Sequence, residues 1–376
     1  MEECKPVLNT GLRGVVIADT RICEVDGANG RLIYRGYTVQ NLAENASFEE
    51  VAFLLLYEKL PDKAELAEFK RSLLAERNLP PAVIDVLRNR PKDALPMDIL
   101  QAAVPLLAHH DPDKQDQSME AVLRMAVRLI AKFPTIIAAW DRIRNDKEPV
   151  EPSADLDHAA NFLYMLSGKL PDQDMGKFLD KALVLHAEHS FNASTFAARE
   201  VASTRAHIYA AVAAAVGSLS GDLHGGANTR VMEMLFKIGS VDKVLDYVNQ
   251  EFDAGRVIFG LGHAVYDTDD PRAYIVASMS KVLEERIGKT KWYEISAMLD
   301  KTGKAEFKKR KGRDIYVNVD FYSGSLYLSL GIPVDLFTPV FAIARIAGWC
   351  AHVVEEQFAG AAPKPTLYRP ESEYIG

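Results

Sequence analysis

The spacing of apolar residues along most of the chain is that of amphipathic helices. Ser47-Phe48-Glu49-Glu50 has the form of a capping box ahead of an apolar segment that Pro61 ends. The same periodicity predicts helices over 63–76, 81–89, 97–109, 117–131, 135–144, 156–167, 172–189, an alanine-rich 193–217, 229–238, 241–253, 272–285 and 291–308. Apolar segments continue from 324 to 354. The sequence therefore predicts a fold of the all-α class.

The alternating pattern that is typical of strands is confined to the start of the chain. Residues 12–36 alternate apolar and polar positions around Asp26-Gly27 and Asn29-Gly30, which predicts a small N-terminal β-hairpin. A break rich in Gly and Ser at 217–226 separates two groups of helices. We therefore predict a large helical domain, residues 1–222 and 324–376, and a small helical domain, residues 223–323, with a cleft between them.

The composition of the 376-residue chain is ordinary for a globular protein, with 48% hydrophobic and 26% charged residues. A net charge of −8 argues against a nucleic-acid surface. Cys4, Cys23 and Cys350 are scattered, which fits a reduced compartment without a disulfide framework. No signal peptide is recognisable, and the longest uncharged apolar run, Ile208–Leu219, is too short to cross a bilayer. These features predict a cytoplasmic protein that binds neither nucleic acid nor membrane.

The stretch 260–272 places a histidine and an arginine close to the start of a helix. His263 follows a glycine-rich turn whose backbone a ligand can approach closely. Pro271 suits the first helical position, and one of the two aspartates before it can cap the helix. Arg272 would then lie in the first turn, where unpaired N–H groups already favour an anion. We predict that His263 and Arg272 face a small anionic substrate; the alternative is a surface turn with an ordinary salt bridge.

Three further side chains have settings that suit catalysis or binding. His224 lies in a glycine-rich turn before a helix, whose dipole would lower its pKa; alternatively it only caps the turn. Asp320 is flanked by apolar and aromatic residues, which raise a carboxyl pKa and suit a general base; alternatively it caps a helix. Arg345 is the only formal charge between Asp335 and Glu355, so it needs a carboxylate from the protein or from a ligand.

No metal site is predicted. His186 and His189 share a helical face, but they lack a third ligand and the spacing of zinc enzymes. The chain also has no glycine-rich phosphate loop and no cysteine-pair metal motif.

Three ordered motifs resemble those of the citrate synthase family. They are Leu-His-Gly-Gly-Ala-Asn at 223–228, Gly-Leu-Gly-His-Ala-Val-Tyr at 260–266 with Asp-Pro-Arg at 270–272, and Asn-Val-Asp-Phe-Tyr-Ser-Gly at 318–324. The segments 32–37 and 369–376 are also similar, so the resemblance spans nearly the whole chain. It implies an all-α, two-domain homodimer that condenses acetyl-CoA with oxaloacetate and water to citrate and CoA. This acyl transfer of the tricarboxylic acid cycle needs no cofactor, because acetyl-CoA is a co-substrate.

The resemblance also implies roles for individual residues. Asp320 would take a proton from the acetyl methyl group, His224 would hydrogen-bond the thioester oxygen, and His263 would polarise and protonate the ketone of oxaloacetate. Further oxaloacetate contacts would be His189, Asn192, Arg272, Arg345 and Arg369. Arg369 would reach in from the partner subunit. Contacts with CoA would be Gly260, Leu261, Gly262, Lys309, Lys311 and Arg313.

Some positions depart from the pattern of the family. Many short members have basic residues where this chain has Ala264 and Asp267, and a proline where it has Val317. We therefore look for the CoA phosphate contacts in the basic loop 308–313, for which a solvated surface loop is the alternative. Two other functions stay open: a 2-methylcitrate synthase that uses propionyl-CoA, and a non-catalytic helical binding protein of the same fold.

Overall fold

The computed structural model describes residues 11–12, 14–263, 265–359 and 367–376, so Cys4 and Ala264 lie outside the described residues. As predicted, the chain folds mainly as α-helices with a small sheet near its start. The strands are β1 (Cys23–Asp26), β2 (Arg31–Tyr34) and β3 (Tyr37–Thr38), in the order β1-β2-β3 with antiparallel pairing. The predicted hairpin is thus extended by a third strand, which is too short to show an alternating pattern.

The first ten helices are α1 (Val39–Asn45), α2 (Phe48–Tyr57), α3 (Lys63–Glu76), α4 (Pro81–Arg88), α5 (Pro96–Ala108), α6 (Met119–Arg144), α7 (His158–Ser167), α8 (Gln173–His186), α9 (Ala193–Ser203) and α10 (Ile208–Leu219). The later helices are α11 (Ala227–Ile238), α12 (Val244–Asp253), α13 (Ala273–Ile287), α14 (Lys291–Lys311), α15 (Asp320–Ser329) and α16 (Phe337–Val354). Most begin and end within a few residues of the predicted bounds, because caps and periodicity mark them. The capping box predicted at Ser47 and Glu50 is present.

Three predicted boundaries are wrong. The segments 117–131 and 135–144 form the single helix α6, because burial on nearly all sides outweighs the cost of Pro134 in its interior. The alanine-rich segment 193–217 is two helices, α9 and α10, with Arg205 at a φ of 65° between them. The basic stretch 308–313 is not wholly a loop, since α14 runs to Lys311 and ends at Gly312 in the left-handed conformation.

Helix α16 lies at the centre of the fold. Every residue from Phe337 to Val353 is buried, and the helix packs against α2, α6, α8, α9 and α10. The stretch Val334–Phe358 is long and apolar enough to cross a membrane by length and composition alone, but 89% of its most apolar window is buried inside the protein. Burial of that kind is expected of a core helix. Arg345 lies midway along it, which places a guanidinium inside the core.

The later helices form a second packed group. Helices α11 and α13 pack against α15. Helix α14 contacts α11, α12, α13 and α15 and so completes the group. Two irregular segments, 256–272 and 312–319, run between these helices and meet where Leu261 and Val317 form an isolated antiparallel bridge. Both segments lead into the candidate site. The division into domains 1–222 with 324–376 and 223–323 stays a prediction.

The carboxyl group of Asp180, on α8, links that helix to the start of α2. Its Oδ1 accepts the N–H of Phe48 at 3.0 Å. Burial and then the nearby Glu49 raise the pKa of Asp180 from 3.8 to about 8. The folded protein therefore binds this proton more tightly than the unfolded chain does. The associated stability is fully present below about pH 4 and is lost as the pH rises through about 8.

We expect Asp180→Asn to unfold at a higher temperature than the unchanged protein at about pH 9, and at nearly the same temperature at about pH 4. Asparagine keeps the oxygen that accepts the Phe48 N–H, and it never ionises. Thermal unfolding followed by circular dichroism measures the difference, with Glu44→Gln as an exposed control on α1. A difference of the same size at both pH values would contradict the assignment.

Candidate active site

One cleft, with a volume of about 570 Å³, gathers most of the side chains that the sequence singled out. The predicted residues that line it are His189, Asn192, His224, Gly262, His263, Arg272, Asp320 and Arg345. They come from five places: the loop between α8 and α9, the turn before α11, the segment 256–272, the start of α15, and the core helix α16. The fold thus joins residues that are far apart in the chain.

Asp320 is the first residue of α15, but its carboxylate does not cap the helix. Instead Oδ1 of Asn318 accepts the backbone N–H of Asp320 at 3.1 Å. Burial raises the pKa of Asp320 to about 6, although the charge of Arg272 acts in the opposite direction. The alternative that Asp320 only caps a helix is therefore wrong. A carboxylate with a raised pKa that faces a cleft suits proton abstraction near neutral pH.

Two glycines hold the His263 segment against the segment that leads to Asp320. Gly260 has a φ of 83°, and a Cβ atom there would lie 2.6 Å from the ring of Phe321. Gly262 has a φ of 100°, and its N–H donates to the carbonyl of Tyr316 at 2.7 Å. Only glycine combines such backbone angles with so close an approach. The spacing of His263 and the base therefore depends on these two positions.

The imidazole of His263 presents a hydrogen-bond donor to the cleft. Its Nδ1 accepts the backbone N–H groups of Val265 and Tyr266 at 3.0 and 2.9 Å. In the neutral ring the proton therefore lies on Nε2, which is 3.6 Å from Oδ2 of Asp270. Burial lowers the pKa of His263 to about 4, so the ring is neutral at pH 7. A neutral donor of this kind can polarise a carbonyl group.

His224 also carries a neutral ring, which is oriented from outside its own glycine turn. Its Nε2 accepts the N–H of Ser194 at 3.2 Å and lies 2.8 Å from the Oγ of the same serine. The indole N–H of Trp349 donates to that Oγ at 3.1 Å. Nδ1 therefore carries the proton. Burial, and then the charge of Arg345, lowers the pKa of His224 to about 4. The ring contacts α9 and not its own glycine turn, so the capping alternative is wrong, and burial is the main cause of the shift.

Arg272 forms an ion pair with Asp270, which the sequence predicts only as a possible helix cap. Its Nε and Nη2 donate to the two oxygens of Asp270 at 2.9 and 2.6 Å, and both side chains are buried. Burial raises the pKa of Asp270, but the charge and hydrogen bonds of Arg272 outweigh this effect and lower the pKa to about 2. Oδ1 of Asp270 also accepts the N–H of Arg272 at 3.0 Å, as a cap would. Because α13 begins at Ala273, Arg272 precedes the first turn instead of lying in it.

The guanidinium of Arg345 is buried, with 1% of the residue exposed. Its Nε donates to the carbonyl of His186 at 2.9 Å, and it lies 4.7 Å from the centre of the Phe341 ring. Burial lowers the pKa of Arg345, and the charge of Glu188 acts against this. Within the described part of the chain, no carboxylate forms an ion pair with Arg345. A buried, unpaired guanidinium that faces a cleft suits an anionic ligand.

His189 and Asn192 complete the wall beside Arg345. Nε2 of His189 lies 3.2 Å from the hydroxyl of Tyr266, and burial lowers the pKa of this histidine well below its usual value. Oδ1 of Asn192 accepts the N–H of Thr195 at 3.1 Å and so caps α9. Both residues therefore have fixed side chains that present polar atoms to the cleft.

A metal ion has only one arrangement of possible ligands among the described residues. Ligand atoms of His189, His263 and Asp270 lie within 4.8 Å of one another. Both oxygens of Asp270 are bound to Arg272, whose positive charge repels a cation. His186, the other half of the pair considered in the sequence, faces the carbonyl of Ala182 through Nδ1 at 2.7 Å. The geometry therefore favours an anion at this place.

Comparisons with known proteins agree with this geometry. The sequence profile of the family described as "Citrate synthase, C-terminal domain" matches residues 11–371. The chain belongs to the citrate synthase family. It is 44% identical to the citrate synthase of Synechocystis over 98% of this chain and 91% of the relative. A 2-methylcitrate synthase of Shewanella oneidensis is 37% identical over 100% of this chain and 97% of the relative.

Solved structures of the family share its architecture. The crystal structure of citrate synthase from Pyrobaculum aerophilum has a TM-score of 0.90 at 39% identity, over 97% of this chain and 92% of that one. The ternary complex of carboxymethyl coenzyme A and oxaloacetate with citrate synthase from Thermoplasma acidophilum has a TM-score of 0.90 at 30% identity, over 96% and 94% of the two chains. The predicted all-α, citrate synthase-like fold is confirmed.

Six residues that the family resemblance assigned to ligands do not line the cleft: Gly260, Leu261, Lys309, Lys311, Arg313 and Arg369. Gly260 and Leu261 immediately precede Gly262 in the chain. Lys309 forms an ion pair with Glu306 at 3.2 Å on the surface of α14. Arg369 is exposed in the C-terminal segment 367–376. The CoA contacts and the role of Arg369 stay predictions.

Three further residues of this family member shape the site, although the sequence predicts no role for them there. Asp270 and Asn318 each lie two residues from a predicted site residue, so the motifs themselves held the signal. Ser194 orients His224 from α9, which is 30 residues earlier in the chain. No local pattern could indicate that contact, because only the packing of α9 against the turn creates it.

Proposed function

We propose that the protein condenses acetyl-CoA with oxaloacetate and water to give citrate and CoA. The observation that carries this proposal is the convergence, in one cleft, of a carboxylate with a raised pKa and two neutral imidazoles with fixed N–H donors. The methyl group of a thioester is a weak acid. Its deprotonation therefore needs a base and an oxyanion donor that act together, each contributing about 10²- to 10⁴-fold.

In the proposed reaction, Asp320 takes a proton from the methyl carbon, and the Nδ1–H of His224 stabilises the enolate oxygen. The resulting carbon nucleophile attacks the ketone carbon of oxaloacetate. The Nε2–H of His263 donates to the ketone oxygen as it becomes an alkoxide and then a hydroxyl. Water then hydrolyses the citryl thioester and releases CoA with a free thiol.

The substrate oxaloacetate carries two carboxylates, which matches the cations of the cleft. We assign its binding to Arg272 and Arg345, with His189 and Asn192 beside them, since guanidinium groups pair bidentately with carboxylates. Arg345 then gains the ion pair that the protein itself does not supply. The known complex of a relative with oxaloacetate and a CoA derivative supports this choice of ligands.

We further propose a homodimer in which Arg369 reaches the cleft of the partner subunit. In support, Arg369 is exposed and lies outside the cleft of its own chain. For CoA, we propose that the backbone from Gly260 to Gly262 contacts the adenine and that Lys311 and Arg313 lie near the phosphates. Lys309 is a weaker candidate, because Glu306 already neutralises it.

Thiol release measured with acetyl-CoA and with propionyl-CoA, each with oxaloacetate, tests the function. A pocket discriminates one methylene by only about 1–3 kcal/mol, so some activity with both substrates is expected. A higher kcat/KM for propionyl-CoA would instead indicate a 2-methylcitrate synthase. No thiol release with either would indicate a binding protein of the same fold. The higher identity to relatives named citrate synthase supports acetyl-CoA.

The pH dependence of the reaction follows from Asp320. We expect kcat/KM for acetyl-CoA to fall about tenfold per pH unit below about pH 6, because the base must be ionised in the free enzyme. His224 and His263, with pKa values of about 4, stay neutral across this range. Loss of thioester absorbance, which does not depend on thiol ionisation, measures the rate. A kcat/KM that stays constant down to about pH 5 would contradict the assignment of the base.

A further inference from the structure

The ammonium group of Lys304, on α14, lies where several segments meet behind the cleft. Its Nζ is 2.7 Å from Oδ1 of Asp269, 2.9 Å from Oδ1 of Asp300 and 2.8 Å from the hydroxyl of Tyr274. Burial acts against the charged form, but these partners outweigh it and raise the pKa of Lys304. The group is therefore a permanent cation held between two carboxylates. It lines no part of the cleft.

One of these carboxylates leads to the residues that bind the anion. Asp269 accepts the N–H of Val317 at 2.9 Å, and the carbonyl of Val317 accepts the N–H of Asp270 at 3.0 Å. Asp270 in turn binds Arg272 and lies beside His263. Four consecutive contacts thus connect Lys304, through Asp269, Val317 and Asp270, to the guanidinium that we assign to oxaloacetate.

The other carboxylate leads to the helix of the base. Oδ2 of Asp300 accepts the hydroxyl of Tyr322 at 2.9 Å. Tyr322 is 3% exposed and lies two residues after Asp320, in the first turn of α15. The hydroxyl of Tyr274, in the first turn of α13, also donates to Asp300, at 3.0 Å. Lys304 is therefore tied to the starts of both α13 and α15.

We propose that Lys304 is a positioning residue that fixes segment 269–272 relative to segment 317–322. Without the ammonium group, the carboxylates of Asp269 and Asp300 repel each other, and the two segments move apart. A displacement of about 1 Å between reacting groups can cost about 100-fold in rate. The inference rests on the proposed function, because its readout is the condensation of the two substrates.

The test compares two lysines of the same helix. In Lys304→Met, we expect kcat/KM for oxaloacetate to fall about 10- to 100-fold, through both a lower kcat and a higher KM. Lys301→Met is the matched control, because Lys301 is an exposed lysine on α14, and its kcat/KM should not change. Full activity of Lys304→Met would overturn the inference while the proposed function stands. If the unchanged protein releases no thiol, both the inference and the proposed function are overturned.

A second substitution separates positioning from general stability. Adding Asp269→Asn to Lys304→Met removes the repulsion but keeps an acceptor for the N–H of Val317, so part of the lost kcat/KM should return. A loss without recovery, accompanied only by a lower unfolding temperature, would overturn the inference. If Lys304→Met does not fold, Tyr322→Phe tests the inference instead, since it removes only the hydroxyl group that donates to Asp300. A several-fold fall in kcat at an unchanged unfolding temperature supports the inference, and an unchanged kcat overturns it.

Discussion

Replacing Asp320 with asparagine is expected to lower kcat for thiol release by about 10²- to 10⁴-fold. Asparagine has nearly the same shape but cannot accept a proton from carbon. The loss should fall on kcat, because the proposed role of the carboxylate is to remove the methyl proton, whereas we assign oxaloacetate binding to the arginines. The backbone N–H of residue 320 still donates to Asn318, so the start of α15 should be preserved.

Steady-state kinetics with both substrates and titration of oxaloacetate into the variant check this expectation. Oxaloacetate should bind Asp320→Asn about as tightly as it binds the unchanged protein. Asp246→Asn, the same change at an exposed carboxylate on α12, should leave kcat within about twofold. If Asp320→Asn kept most of its kcat, another group would have to be the base.

Replacing Arg345 with methionine is expected to weaken oxaloacetate binding by about 2–5 kcal/mol without lowering the stability of the ligand-free protein. The guanidinium is buried and forms no ion pair within the described part of the chain, so its desolvation is repaid there only in part, mainly by the charge of Glu188. Methionine has a similar length and can pack on Phe341 as the arginine does. The lost hydrogen bond to the carbonyl of His186 costs about 1 kcal/mol, which the relief of desolvation offsets.

A second buried arginine provides the contrast for this prediction. Arg199 is 3% exposed and forms ion pairs with Glu355 at 2.8 Å and with Glu356 at 2.7 Å. Arg199→Met should therefore lose about 3–5 kcal/mol of stability, because two buried carboxylates are left without their partner. Chemical unfolding and oxaloacetate titration of both variants measure the two effects. Equal destabilisation by both substitutions, with unchanged oxaloacetate affinity, would refute the assignment of Arg345.

Much of the fold could be predicted from the sequence, because the helices are amphipathic and their ends carry caps. The prediction failed where tertiary burial overrode a local signal, as at Pro134 inside α6. It failed also where a strained residue interrupts a uniform pattern, as at Arg205 between α9 and α10. Local sequence patterns predict helix ends well, but they do not contain the free energy that is gained when the whole fold buries a segment.

The sequence predicts which residues line the cleft better than it predicts which side chains contact one another. The family motifs located His224, His263 and Asp320, and the setting of each residue suits the chemistry that a weak carbon acid requires. The partner of Arg272 was misjudged, because an aspartate two residues earlier can act as a cap and as an ion-pair partner at once. The contact of Ser194 with His224 depends on how distant helices pack, which spacing in the sequence does not encode.

The guanidinium groups of Arg272 and Arg345 belong to different parts of the fold, since Arg345 is on the core helix α16 and Arg272 precedes α13. The charge of Arg272 helps to lower the pKa of Arg345. Asp270 compensates Arg272, whereas Arg345 has no ion pair among the described residues. In the proposed complex, a carboxylate of oxaloacetate meets each guanidinium and so joins the core helix to the segment before α13. Substrate binding then contributes to the arrangement of the catalytic side chains.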